Sequence, residues 1–227
     1  MAVEVYQDLR GLFGPARDQG ARPTCLAFAA SDAHAALRDE REPLSCEFAF
    51  YHAQRRANRS PAEGTTLPAM LDALRHDGQP HESGWPYLAC LPVDLSAWRP
   101  PQGVGELFHR AGRAEQGTVE EIVAGIDGGR PVIVLMYLSI SFFVAGPDGI
   151  VDPTAGERPE PAQRHAVVAV GHGMWKGQRV ILVRNSWGAA WGQSGHAWLT
   201  ETFLRPRAFR LAVLYGEVDV STPVTTA

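Results

Sequence analysis

Residues 179–188 read Arg179-Val-Ile-Leu-Val-Arg-Asn185-Ser-Trp-Gly188. An aliphatic run bounded by a polar Asn-Ser-Trp-Gly turn reads as a buried strand that carries a functional group at its end. Twenty residues upstream, a second aliphatic run, 166–171, opens on His165. A side chain at a strand's start faces a cleft edge while the strand anchors it. An amide oxygen of Asn185 accepting the N–H of His165 would fix that ring's tautomer and plane. Trp187 would cover the bond and keep water off it.

Outward from these two strands the pattern changes once. Further strands are expected at 131–138, 195–200 and 211–215, with a short helix at 118–126. Before them the apolar spacing is helical, predicting helices over 25 to about 40, 45–58 and 67–76. Thr24 stands as a cap for the first, after Pro23. Residues 78–105 are rich in Pro and Gly and read as irregular. Helices followed by strands predict an α+β protein. It is expected to be one domain, with a mainly helical lobe over about 20–108 and a mainly β lobe over about 109–216. Residues 1–19 and 217–227 would be crossing or tail segments. A cleft between the lobes is the expected place for a site.

The helical part supplies two more groups. Cys25 sits at a helix start, where unpaired N–H groups and the macrodipole favour an anion and lower a thiol's pKa. His165 would take the thiol proton and return it to a leaving amine. Gln19, six positions earlier, would join the backbone N–H of Cys25 as an oxyanion donor. Each such donor is worth about 3 kcal/mol of transition-state stabilisation.

Gln19, Cys25-Leu-Ala-Phe28, His165-Ala-Val167 and Asn185-Ser-Trp-Gly-Ala-Ala-Trp-Gly192 together resemble the papain-like cysteine peptidases, over about residues 10–214. His165 and Asn185 follow the Cys by 140 and 160 residues, close to that family's roughly 130–150. Glu63-Gly-Thr-Thr-Leu-Pro-Ala-Met-Leu71 and Glu82-Ser-Gly-Trp-Pro-Tyr87 look like its bacterial, intracellular branch. The resemblance implies a two-lobed fold with a helical lobe and an antiparallel β-sheet or barrel lobe. It puts Cys25 on the first and His165 and Asn185 on the second. It also implies that Gly64 and its neighbour Thr65 bind an extended substrate backbone, and that the carbonyl of Arg164 meets the scissile residue. The resemblance further implies that Leu67, Pro68 and Ala166 line the specificity pocket, favouring an apolar or moderate-sized side chain one residue before the scissile residue, with Trp187 nearby.

The chain departs from that pattern in places. Arg22 stands where the family has a Cys, so the disulfide usual there is absent. Pro23 replaces a Gly, removing a backbone donor and fixing φ. Leu26 replaces an aromatic residue. Arg164 puts a cation beside His165, which would disfavour the imidazolium unless it is paired or turned to solvent.

Composition bounds the rest. With 227 residues, 45% hydrophobic, 20% charged and a net charge of −4, the chain is an ordinary globular protein without electrostatic support for nucleic-acid binding. No apolar run approaches the ~18 residues that span a bilayer. Residues 1–10 carry acids and lack the apolar core of a signal peptide. Three cysteines, one of them catalytic, argue for a reducing, cytoplasmic setting, with Cys46 and Cys90 as buried small hydrophobes. With the fold expected to start this near Met1, a pro-segment is not expected. No cofactor or metal is expected, since His165, His172 and His196 are scattered.

The expected activity is that of a cysteine endopeptidase acting on a protein or peptide substrate. A narrower expectation is a bacterial effector toxin delivered into a target cell and held in check by an inhibitor or immunity protein over the cleft. The alternatives are a housekeeping or maturation peptidase, a catalytically weak binding module, and acyl transfer to an amine.

Overall fold

The computed structural model describes residues 2–38, 42–145 and 148–218. In chain order its strands are β1 (Glu4–Asp8), β2 (Arg110–Glu115), β3 (Val132–Leu138), β4 (Ile150–Val151), β5 (Glu160–Trp175), β6 (Gln178–Arg184), β7 (His196–Thr200) and β8 (Ala208–Glu217). The α-helices are α1 (Cys25–Ala36), α2 (Cys46–Ala57), α3 (Leu67–His76), α4 (Val119–Asp127), α5 (Ile140–Phe143) and α6 (Glu201–Leu204).

Local chemistry sets the helix ends. Ser45 accepts the Phe48 N–H at 3.1 Å to start α2, and Asn58 closes it in the left-handed region at φ 51°. Thr66 accepts the Ala69 N–H, with Pro68 in the first turn of α3. Thr118 and Glu121 form a capping box on α4. Helix α1 is shorter than expected and ends at Ala36, with Leu37 and Arg38 already in a turn. The expected end near residue 40 lies outside the described residues. Almost all of α1 is buried, because small Ala side chains let it lie close against the sheet and α2.

The sheet runs in the order β2-β8-β3-β5-β6-β7-β4, with β1 added on β5. All these pairings are antiparallel except β4 with β7. Strand β5 is the spine and is far longer than the six residues expected. Its first five residues are exposed and those from His165 onward mostly buried, so only the buried half carries the apolar signal. Its far end pairs with both β6 and β1. Gly171 makes that possible, since a Cβ there would stand 2.7 Å from the carbonyl oxygen of Gln7. Thus β1, in a stretch expected to be crossing or tail, is a sheet strand, and β8 extends to Glu217. Residues 219–227 of the expected tail lie outside the described residues.

A buried ionic cluster ties the helices to the sheet. Asp32 on α1 receives Arg17 Nη2 at 2.7 Å and Arg184 Nε at 2.7 Å. Arg184 ends β6, so this contact fixes the next residue, Asn185, relative to the helix that carries Cys25. Burial opposes charge on Asp32, yet the two guanidinium groups hold its pKa below the usual carboxylate range.

Candidate active site

Cys25 is the first residue of α1 and its side chain is half-buried. Thr24 occupies the cap position but its hydroxyl does not cap the helix. Instead it bonds the hydroxyl of Tyr87 at 2.9 Å. Tyr87 gives its own proton to the Gln19 carbonyl at 2.7 Å, so Thr24 is the donor of that pair. The first N–H groups of α1 are therefore not consumed by a side-chain cap. The N–H groups of Ala166, Leu26 and Cys25 itself act on the thiol.

The loop before Cys25 is built around Arg22. Its carbonyl accepts the Thr24 N–H and the Gln19 Nε2–H, both at 2.8 Å. The first bond closes a three-residue turn centred on Pro23, which needs no donor from the proline. The Arg22 side chain is buried. It forks onto Glu47 at 2.6 and 2.9 Å and reaches the Leu88 carbonyl at 2.6 Å. Glu47 also accepts from Trp98 Nε1 and the Leu88 N–H. This buried ion pair, with both Arg22 Nη groups bonded and Nε left without a partner, stands where the papain-like pattern carries a disulfide.

Gln19 is buried. Its Oε1 accepts the Ser186 hydroxyl at 2.7 Å, and its backbone N–H donates to the Ser186 carbonyl at 2.8 Å. One N–H of its amide is spent on Arg22 and the other is free to point at an oxyanion. Ser186, unremarked in the sequence, thus joins the Gln19 loop to the turn after Asn185.

His165 and Asn185 meet as expected, with His165 Nε2 2.7 Å from Asn185 Oδ1. The same oxygen accepts the Ser186 N–H at 2.8 Å. An amide oxygen only accepts, so His165 Nε2 carries hydrogen and Nδ1 is the bare base of the neutral ring. Trp187 packs its ring 4.8 Å from that of His165, and Phe142 lies edge-on to both. Trp187 therefore shields the His165–Asn185 pair and does not line the cleft beside Cys25. Phe142 comes from α5, a four-residue helix too short to show in the sequence pattern.

Burial works against charge on both reacting groups. It pushes the Cys25 thiol up, against the pull of the N–H groups around it. It pushes His165 down to about 4, with the Asn185 bond pulling it back. Arg164 contributes nothing to that depression. Its side chain is exposed and lies 5.9 and 6.0 Å from the rings of Tyr137 and Phe209.

Cys25 and His165 line one cleft of about 440 Å³. Gly64, Thr65, Leu67, Arg164 and Ala166 line it too, as the sequence implied. Pro68 does not, because its ring caps the outer side of the first turn of α3 and is exposed while Leu67 turns inward. Leu135, Phe209 and Arg210, on β3 and β8, line it without any local signal in the sequence. The three cysteines are free. Cys46 is buried as expected and its thiol is pushed up to about 12 by burial, whereas Cys90 is exposed on the irregular stretch.

A family model for papain family cysteine proteases matches residues 6–203. The chain belongs to the papain family. Among curated members it is similar to a cysteine protease of Blomia tropicalis, with 26% identity over 196 residues, covering 81% of this chain and 56% of that one. It is likewise similar to the thiol protease aleurain of Arabidopsis thaliana, at 25% identity, 82% and 52% coverage. The chain thus spans little more than half the length of these papain relatives. Among solved structures, xylellain, a cysteine protease of Xylella fastidiosa, superposes with a TM-score of 0.73 at 20% identity over 94% of this chain and 86% of that one. The Carica candamarcensis protease CMS1MS2, solved with E-64, gives 0.66 at 20% identity, covering 89% and 96%. These likenesses confirm the papain fold, an α+β architecture of helices on an antiparallel sheet.

Proposed function

We propose that this chain is a cysteine endopeptidase in which Cys25 is the nucleophile, His165 the acid–base group, Asn185 its orienter, and Gln19 with the Cys25 N–H the oxyanion donors. The Cys25 thiol passes its proton to Nδ1 of His165. The thiolate adds to the scissile carbonyl, whose oxygen takes up the negative charge. Collapse breaks the C–N bond, the imidazolium protonates the leaving amine, and a thioester remains. Water, deprotonated by His165, then releases the acid and regenerates the thiol.

The observation that carries this reading is the His165 Nε2–Asn185 bond, which leaves Nδ1 bare in the cleft that Cys25 lines. Magnitudes explain why the charges form as a pair. Opposite charges about 4 Å apart in partly buried surroundings attract by about 4 kcal/mol, or about three pKa units. The open helix terminus adds up to about 1 kcal/mol. That roughly offsets the burial that depresses His165 to about 4. Neither group would ionise alone at neutral pH.

The test is cleavage of a denatured protein by the wild-type chain and by Cys25→Ala, with alkylation at pH 6 followed by mass spectrometry. Exposed Cys90 is the internal reference for the alkylation rate. Cleavage that persists in Cys25→Ala, or Cys25 alkylation no faster than that of Cys90, would sink the reading. Expressing the chain alone beside Cys25→Ala separates an effector toxin, which harms cells only with Cys25 intact, from a maturation peptidase, which leaves them unaffected.

A further inference from the structure

The cleft beside Cys25 is lined by three arginines, Arg59, Arg164 and Arg210, and by no Asp or Glu. The protein's net charge is −4, so this is a local reversal of sign, and a walled cleft focuses such a field. The three arginines are not equivalent. Arg59 donates to the Gly64 carbonyl at 2.8 Å. Arg164 lies against Tyr137 and Phe209 and donates to the Pro161 carbonyl at 3.4 Å. The Arg210 side chain has no hydrogen bond, ion pair or ring contact among the described residues.

Register places that unpartnered guanidinium. On β3, Leu135 is paired with Ala166 on one side and Arg210 on the other. Residues directly opposite across antiparallel strands point to the same face, so Ala166, Leu135 and Arg210 form one row on the cleft side. Ala166 is at the near end, its N–H acting on the Cys25 thiol. Strand spacing puts the Arg210 backbone about 10 Å from that of Ala166, with its long side chain free to cover part of the gap. The pocket thus has an apolar wall, Leu67, Leu135 and Ala166, and a cationic far end.

We propose that this pocket selects an acidic side chain, Asp or Glu, on the residue just before the scissile one, and that Arg210 determines the choice. The inference rests on Cys25-dependent peptide cleavage and replaces the apolar preference drawn from the sequence, in which Arg210 had no place. A carboxylate entering the row gives Arg210 the bidentate partner it lacks and relieves repulsion among three like charges. A Lys side chain there meets only cations.

The experiment uses four fluorogenic peptides identical except for Glu, Gln, Leu or Lys at that position. In wild type, kcat/KM for the Glu peptide is expected to exceed that for Gln by about tenfold, with Lys slowest, and the Glu advantage shrinks as salt is raised. Arg210→Gln removes the Glu advantage, so that the Glu:Gln ratio of kcat/KM falls to about one. Arg210→Glu makes Lys the better substrate. Arg210 is exposed, and an unchanged Tm for both variants checks that they fold. In parallel, fluorescence anisotropy measures binding of the same peptides to Cys25→Ala. Cleavage of the Leu peptide with no Glu preference overturns this inference and leaves the peptidase reading standing. Tighter Glu binding to Cys25→Ala, with no cleavage by wild type, does the reverse. A Glu:Lys ratio unchanged in Arg210→Glu overturns the role of Arg210.

Discussion

Gln19 is held by four hydrogen bonds that leave one amide N–H unused, and this makes its proposed oxyanion role separable from its structural one. Gln19→Ala is expected to lower kcat by about 10²–10³-fold with little change in KM, because the lost donor acts only on the developing oxyanion. Steady-state kinetics on one peptide decides this, and a change confined to KM would contradict it. Asn185 acts on His165 in the opposite sense to burial, raising its pKa. In Asn185→Ala the imidazole pKa therefore falls further below about 4. The acidic limb of kcat/KM should move to lower pH while the plateau drops, since the ring is no longer oriented. Arg164→Ala, by contrast, should leave that limb in place, because the exposed guanidinium does not contribute to the His165 shift.

Two ionic clusters hold the elements in catalytic register. The Arg22–Glu47 pair braces the oxyanion loop against α2, and Asp32 clamps α1 to β6 through Arg184. A buried pair is not itself large stabilisation, but removing one partner strands the other charge. Glu47→Gln should thus cost about 3–5 kcal/mol, read as a fall in Cm at constant m in urea. Adding a thiol reductant to the wild type should leave Cm unchanged, because an ion pair does what a disulfide does elsewhere in the family. A reductant-sensitive Cm would mean that cysteines brace the loop after all.

Across the protein as a unit, the buried histidines pushed furthest toward the neutral form are His165 and His34. His34 donates from Nδ1 to Gln79 Oε1 at 3.1 Å, and Gln79 in turn ties Ser31 and the Ser45 carbonyl. Burial first, and then the Arg110 charge, push His34 down to about 3. Both histidines bind protons more readily unfolded, where the pKa is about 6.5. Stability is then complete above about pH 6.5 and falls as pH drops toward the folded values, by about 3 kcal/mol per histidine at pH 4. Asp32 has the opposite shift and loses its contribution only below the ordinary carboxylate range, so the histidines act first. Tm should decline from pH 6.5 to 4, and His34→Gln should flatten that decline. A Tm flat over this interval would exclude the linkage.

The four groups proposed for catalysis and the α+β order are legible in the chain because they rest on local signals. Helix α3 is read to the residue from its apolar spacing and the Asp77-Gly78 that follows it, and β6 almost so from its aliphatic run. The exposed half of β5, the edge strands β1 and β2 and the short α5 carry no such period and escape. So do Arg22–Glu47, Asp32–Arg184, Ser186–Gln19 and the Ala166–Leu135–Arg210 row. Each joins residues that only sheet register and helix docking bring together. What kind of chemistry is available follows from residue types and their order. Which side chain braces the loop, which ring shields His165 and which charge meets the substrate follow from contacts between distant segments, and spacing along the chain does not encode those.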